Sequence, residues 1–276
     1  MAACQVARAQ RRPSILSLRI LTVPSEAEAA PGAYDLVMDK FLSGKVAVVT
    51  GGTRGIGRAI AERLLEEGAS VAFCGRSAEA VATASKEMAQ GTGRNVYGEA
   101  ADVSKPADVR RFFQSVDNRF GALHVLINNA GVGIFRRLGE LSPEEWHRMI
   151  ELNLSGVFYC CREALQRLNN AGGGYIINIS SLAGKNAFSG GAGYNASKFG
   201  LNGLSEALML DYRYENIRVS YIMPGSVNTE FGSGAGTRGD WKIAPEDVAE
   251  VVTGLLRMPE RTLVSRVEMR PLKPKK

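Results

Sequence analysis

Histidine is scarce here: the 276 residues include only two, His124 and His147. A histidine-based nucleophilic triad or a histidine-rich zinc site cannot readily be assembled from so few. His124 falls in an apolar run and His147 in a stretch rich in charge, so packing and surface roles are expected for them. The four cysteines form no disulfide framework and show no metal-ligand spacing. Cys160 and Cys161 are adjacent, Cys74 sits in an expected strand and Cys4 lies near the N-terminus. Scattered thiols in a chain of this size suit a reducing compartment, and no metal site is expected. Long apolar runs are missing as well. Residues 15–23 are apolar but interrupted by Arg19, and they fall short of the roughly 20 residues that span a bilayer. No membrane partner is expected.

The body of the chain also lacks net charge. Residues 44–260 carry 23 basic and 23 acidic side chains, counting Lys and Arg against Asp and Glu. The formal +6 arises at the ends, where residues 261–276 hold six basic residues against Glu268 and residues 1–43 add one. Nucleic-acid binding needs positive charge gathered on the fold itself, so that class is set aside. What remains is an ordinary globular composition, 45% hydrophobic and 22% charged, with length enough to bury a core without disulfides or metal.

Residues 1–43 differ from the rest. Arg8, Arg11, Arg12 and Arg19 precede the first acid, Glu26, and a Pro/Ala/Glu-rich stretch follows. Such a composition is that of a transit or export segment, although the broken apolar run argues against export. Met38 opens Met38-Asp39-Lys40-Phe41 and serves as a natural start just ahead of the first strand. Residues 1–43 are therefore expected to be a poorly ordered, dispensable extension. The cytoplasm is the expected location, with organelle targeting by residues 1–37 left open.

From residue 44 onward, short apolar runs alternate with helical periodicity. Strands are predicted at residues 46–49, 71–74, 96–101, 125–127, 175–179, 219–223 and 263–269. Helices are predicted at residues 58–67, 78–90, 106–120, 142–168, 194–214 and 245–256. This alternation gives a single α/β domain over residues 44–276, a doubly wound, Rossmann-like parallel sheet with helices on both faces. Near-continuous apolar strands agree, because such strands are buried on both sides.

The turn after the first strand reads Thr50-Gly51-Gly52-Thr53-Arg54-Gly55-Ile56-Gly57. Glycines there let the backbone approach a pyrophosphate, and the following helix N-terminus offers unpaired N–H groups to its charge. The end of the second strand reads Cys74-Gly75-Arg76-Ser77. It lacks the carboxylate that commonly accepts hydrogen bonds from an NAD ribose. Arg76, helped by Arg54, suits a 2′-phosphate instead, so NADP(H) is expected in preference to NAD(H). The glycine spacing departs from the common G-x-G-x-x-G fingerprint. It resembles the Thr-Gly-x-x-x-Gly-x-Gly form of the short-chain dehydrogenase/reductase family, and the overall pattern of the chain looks most like its 3-oxoacyl-acyl-carrier-protein-reductase-like members.

Further motifs carry that resemblance through residues 44–270. Asp102-Val103 resembles the pair that flanks the adenine. Asn128-Asn129-Ala130-Gly131 resembles the family's Asn-Asn-Ala-Gly motif, which stabilises the sheet and lines the cofactor. Pro224-Gly225-Ser226-Val227-Asn228-Thr229 resembles the segment that seats the nicotinamide carboxamide through Val227 and Thr229. Cofactor contacts are thus expected at Gly51, Thr53, Arg54, Gly55, Ile56 and Gly57, and at Arg76 and Ser77. Asp102, Val103, Asn129, Ala130 and Gly131 complete the adenosine and ribose side. Pro224, Gly225, Val227 and Thr229 complete the nicotinamide side.

Tyr194 and Lys198 lie four apart, so on a helix they share a face. A phenol is neutral at pH 7 and suits a proton donor, and a neighbouring cation lowers its pKa. Thirteen residues upstream, Ser181 ends the fifth strand and can hydrogen-bond a carbonyl oxygen as negative charge develops there. Asn153 sits mid-helix, where asparagine has mediocre propensity. The four match the family's Asn–Ser–Tyr–Lys tetrad in order and spacing, and the match implies that Tyr194 and Lys198 also contact the cofactor. The resemblance further implies an NADPH-dependent carbonyl reductase or alcohol dehydrogenase that works on a ketone or 3-oxoacyl substrate. It implies a homodimer or homotetramer. Arg136-Arg137 and the basic C-terminal tail are candidate contacts for an acyl-carrier protein, with a solvated surface as the default. The glycine-rich residues 230–241 are a candidate lid. Two rivals stay open: a regulatory dinucleotide-binding protein that does no chemistry, and an epimerase or dehydratase. The intact tetrad argues against the first. The glycine pattern and the lack of room for a C-terminal substrate domain argue against the second.

Overall fold

Buried β-branched residues set the centre of the molecule. In the computed structural model, which describes residues 40–92, 95–231 and 239–274, the first strand β1 (Val46–Thr50) is buried at every position. It is followed by α1 (Gly55–Glu66), β2 (Ser70–Gly75), α2 (Ala78–Thr92), β3 (Val96–Ala100), α3 (Pro106–Phe120) and β4 (Val125–Asn128). Then come α4 (Pro143–Ile150), α5 (Gly156–Asn170), β5 (Gly174–Ile179), α6 (Ala192–Tyr212), β6 (Ile217–Pro224), α7 (Pro245–Leu256) and β7 (Arg266–Met269). The expected extension lies outside the described residues apart from residues 40–43, and so do residues 232–238 of the candidate lid.

Local chemistry fixes several boundaries. Ser142 accepts a hydrogen bond from the Glu145 N–H at 3.2 Å while the Glu145 carboxylate accepts from the Ser142 N–H at 3.2 Å, a reciprocal cap that starts α4. Pro106 opens α3, and Gly121 closes it in the left-handed region with φ +71. Three predicted elements differ from what forms. The first helix begins at Gly55 rather than residue 58, because the glycines themselves enter the first turn. The last strand is confined to Arg266–Met269, where β6 supplies a ladder partner. The long helix predicted at residues 142–168 is interrupted by a π-helical turn at Glu151–Ser155.

The seven strands are all parallel, in the order β3-β2-β1-β4-β5-β6-β7. Two apolar layers cover the sheet. One joins α1, α2 and α7 through Ile60, Leu64, Met88, Val248 and Val252. The other joins α3, α5 and α6 through Phe112, Phe113, Cys160, Ala164 and Leu201. Burying each such large side chain contributes about 1.5–3 kcal/mol. The direction of winding reverses between β1 and β4, so a crevice opens beyond the strand C-termini at that point. Among the described residues no helix is long and apolar enough to cross a membrane.

Candidate active site

The crevice is built from the glycine turn outward. Gly51 and Gly55 have φ of +68 and +56, a region that side chains rarely adopt. Asn129, at the end of β4, donates to the carbonyls of Thr50 at 3.0 Å and Gly51 at 3.1 Å. The Thr50 hydroxyl accepts from the N–H groups of both Asn129 and Ala130 at 3.0 Å. This lacing leaves no space at Gly57, where a Cβ would run into the Asn129 amide and the Gly51 carbonyl. Thr50 was not singled out from sequence; a threonine at the last position of β1, facing the turn it secures, was the available signal.

This cradle fits a dinucleotide. Arg54 caps α1 without a side-chain hydrogen bond, and the first turn carries no acid, so its N–H groups are left for an anion. Thr53 packs at the end of β2, where a Cβ on Gly75 would sit 2.7 Å from its methyl. Arg76 is exposed, and no carboxylate pairs with it among the described residues. Arg54 instead holds Glu230 at 2.8 Å, with both side chains largely exposed. Ser77 has a local structural task, accepting from the Ala80 N–H at 3.2 Å at the start of α2. The Asp102 carboxylate is likewise turned to its own loop, accepting from the Ser104 N–H at 3.0 Å and hydroxyl at 2.8 Å. Val103 is buried beside it.

On the other side of the switch point, β6 delivers Pro224-Gly225. The Gly225 N–H donates to the Met269 carbonyl at 2.9 Å, and Val227 bridges to Ile243. Thr229 reaches back to the glycine turn, its methyl 3.2 Å from where a Cβ on Gly55 would lie. Ile56 is half-buried against the core at the same turn.

The π turn positions Asn153. Wide turns of this kind recur at functional sites because they re-aim one side chain. Asn153 is fully buried. It accepts from the Val132 N–H at 2.8 Å, donates to the Val132 carbonyl at 2.8 Å and donates to the Ser197 hydroxyl at 3.0 Å. Ser197 in turn donates to the Tyr194 carbonyl at 2.8 Å. Ser197 was also missed, although it lies inside the Tyr194–Lys198 interval. Gly131 faces this group, since a Cβ there would be 3.3 Å from Asn153 Oδ1 and 3.9 Å from Lys198 Nζ.

Tyr194 and Lys198 both lie in the first two turns of α6, and Lys198 Nζ donates to the Ile179 carbonyl at 2.9 Å. Ser181 follows β5, and its hydroxyl lies close enough to the Tyr194 phenol to lower its pKa. Its Oγ also accepts from the Ala183 N–H at 3.1 Å. Burial pushes the Tyr194 phenol up to about 12, with Ser181 pulling the other way. Burial brings the Lys198 ammonium down to about 8. The expected lowering of the phenol by its cation is absent: burial raises it, only Ser181 lowers it, and Lys198 sits 5.9 Å from the centre of the Tyr194 ring. At pH 7 the site holds a neutral phenol above a lysine that is still mostly protonated. Asn153, Ser181, Tyr194 and Lys198 thus meet in one place, next to Gly131 and beyond the ends of β4 and β5.

A sequence profile of the short chain dehydrogenase family matches residues 45–238. The chain belongs to this family. A 3beta-hydroxysteroid dehydrogenase of Mediterraneibacter gnavus is 38% identical over 194 residues, which is 70% of this chain and 69% of that protein. A 3-oxoacyl-acyl-carrier-protein reductase of Chlamydia muridarum is 36% identical over 197 residues, 71% of this chain and 79% of that protein. Among solved structures, an alcohol dehydrogenase from Thermococcus sibiricus complexed with 5-hydroxy-NADP superposes with a TM-score of 0.78 at 34% identity. It covers 84% of this chain and 99% of its own. This short chain dehydrogenase is an oxidoreductase acting on CH–OH or C=O groups, and the sheet and helices described above are those of its family.

Proposed function

We propose that this protein is an NADP(H)-dependent carbonyl reductase, running in reverse as an alcohol dehydrogenase, with Tyr194 as the general acid. The observation that carries the reading is the meeting of Ser181, Tyr194 and Lys198 beside Gly131, at the mouth of a glycine cradle. Bound NADPH supplies the hydride. Gly51, Gly55, Ile56 and Gly57 hold its pyrophosphate through backbone N–H groups, and Asp102, Val103, Asn129 and Ala130 border its adenosine side. Arg76, unpaired and at the end of β2, takes the 2′-phosphate and gives NADP(H) its advantage over NAD(H). Pro224, Gly225, Val227 and Thr229 bound the nicotinamide end, and Lys198 reaches the ribose.

The Ser181 hydroxyl holds the substrate oxygen beside Tyr194. A phenol raised to about 12 arrives at the site protonated, and it releases its proton to that oxygen as charge accumulates there. The resulting phenolate is stabilised by the Lys198 ammonium one helical turn away. Asn153 fixes the Val132 backbone and Ser197, and so sets the distance between the ledge at Gly131 and the start of α6. The substrate is a small ketone or 3-oxoacyl compound. The exposed Phe158 on α5 and Phe199 on α6 support assembly as a homodimer or homotetramer.

The test is a titration with NADPH and NADH, followed by turnover of a carbonyl panel read at the nicotinamide absorbance. NADPH is expected to bind more tightly than NADH, with the difference lost in Arg76→Ala. Tyr194→Phe is expected to lower turnover by about 10²–10⁴-fold with nucleotide binding retained. Normal turnover by Tyr194→Phe would sink the assignment.

A further inference from the structure

Four aromatic rings run side by side across the site. The Phe188 and Phe135 centroids are 5.7 Å apart, Phe135 stands edge-on to Tyr194 at 5.5 Å, and Phe231 lies 5.8 Å from Tyr194. They come from three stretches of the chain, one at Phe135, one at Phe188–Tyr194 and one at Phe231. Missing side chains make room for them. A Cβ on Gly133 would sit 2.7 Å from Phe231 and 2.8 Å from Phe135, and one on Gly191 would sit 2.7 Å from Phe188. Despite this packing the phenylalanines stay open to solvent, 39% exposed at Phe135, 46% at Phe188 and 44% at Phe231. Rings placed only to stabilise the fold would be covered, since covering them is where their stabilisation comes from.

Three of the charges beside this wall are paired within the chain, while Arg137 stands exposed two residues from Phe135. Next to Phe135, Arg136 is paired with Glu145 at 2.8 Å. Near Phe188, Lys185 is paired with Glu268 at 2.5 Å. Next to Phe231, Glu230 is paired with Arg54 at 2.8 Å. A ligand recognised by its acidic surface needs uncommitted cations at the mouth. The described residues here present apolar ring edges flanked by three ion pairs, with Arg137 as a single cation and no basic cluster.

We infer that Phe135, Phe188 and Phe231 determine substrate specificity, and that the substrate is an uncharged ketone set in a flat fused-ring hydrocarbon, not a thioester on a carrier protein. The inference rests on the carbonyl-reductase reading above and narrows it. A framework two or more rings wide lies along Phe135, Phe188 and Phe231 beside Tyr194. Its carbonyl then points at the Tyr194 and Ser181 hydroxyls. In the reaction the carbonyl carbon gains a hydride from NADPH and the oxygen gains the Tyr194 proton. The C=O π bond breaks, and a secondary alcohol and NADP⁺ leave.

Steady-state kinetics at saturating NADPH would compare cyclohexanone, 2-decalone, a four-ring steroid ketone and acetoacetyl-CoA. The proteins are the full chain and its Phe135→Ala, Phe188→Ala and Phe231→Ala variants. NADPH titrations and melting curves accompany each, and Phe→Leu versions replace any alanine variant that does not fold. The expected result is a kcat/KM that rises with ring number and exceeds that for acetoacetyl-CoA. Each alanine variant is expected to lower the fused-ring to cyclohexanone ratio by about tenfold, mainly through KM, with NADPH affinity unchanged. A flat response to ring number, a ratio unmoved by all three variants, or a preference for the thioester would overturn the inference and leave the reductase reading intact. If NADPH binds and none of the four carbonyls is reduced, the reductase reading itself fails and takes the inference with it.

Discussion

Replacing Asn153 by alanine tests the frame on which the proposed chemistry rests. The side chain is fully buried and makes three hydrogen bonds, two of them to the backbone of Val132 and one to Ser197. Truncation strands the Val132 N–H and C=O, each at a cost of about 1–3 kcal/mol in a place that water reaches poorly. Ser197 suffers less, because its own proton still goes to the Tyr194 carbonyl. Taking the lower half of the range for the two stranded groups gives a loss of about 3 kcal/mol. In a domain of this size that corresponds to a melting temperature lower by roughly 6–12 °C. Urea titration and a thermal melt measure it, with Ser197→Ala as the companion expected to lose only about 1 kcal/mol. An Asn153→Ala variant within about 1 kcal/mol of the parent would refute the reasoning. It would mean that the π turn holds the Gly131 ledge without the amide.

Three other outcomes follow from the same geometry. Burial sets Lys198 at about 8 in the free enzyme. The kcat/KM for carbonyl reduction should therefore be level near neutrality and fall about tenfold per pH unit above that value as the ammonium is lost. A limb that rises there, or a falling limb unchanged in Lys198→Arg, would contradict the assignment. His124 accepts the Val46 N–H at 3.0 Å through Nδ1, and burial, followed by the nearby Lys45, lowers its pKa from 6.5. The unfolded chain then takes up a proton first as pH falls, so stability drops as the solution is acidified through that value. Urea midpoints across this range should slope less in His124→Gln. Finally, Gly57→Ala drives a methyl into the Asn129 amide and the Gly51 carbonyl. It should weaken NADPH binding by at least about tenfold, equivalent to about 1.4 kcal/mol, together with a lower melting temperature; undiminished affinity in a fluorescence titration would show that the cradle tolerates widening.

Much of this was legible in the chain before any coordinates. The strands could be read because a parallel sheet covered on both faces demands unbroken apolar runs, as in Val46–Val49. The glycine turn, Ser181, Tyr194 and Lys198 could be read because their chemistry requires particular residue types at short, fixed intervals. The π turn was legible only through Asn153, a poor helix former at mid-helix, because inserting a wide turn leaves the helical pattern on either side intact and shifts only its phase. The ring row and the Arg54–Glu230 pair, whose members are 176 positions apart, have no local signature at all. The Tyr194 pKa was misjudged for a related reason. Sequence placed the cation nearby but gave no measure of how completely the phenol is withdrawn from water.

The strand order also governs how this protein is made. β1 is paired on one edge by β2, where Ala47 meets Val71, but its other edge waits for Val125. At about 5–20 residues per second, a ribosome leaves that interval open for roughly 4–15 s. During that time Val46–Thr50 presents a row of unpaired backbone N–H and C=O groups, most of them on apolar residues, to whatever else in the cell can add a strand. Nucleotide cannot shield it, because the cradle needs Asn129 and closes only when Thr229 has emerged. The chain therefore passes through its most aggregation-prone state before it can bind anything that would rescue it.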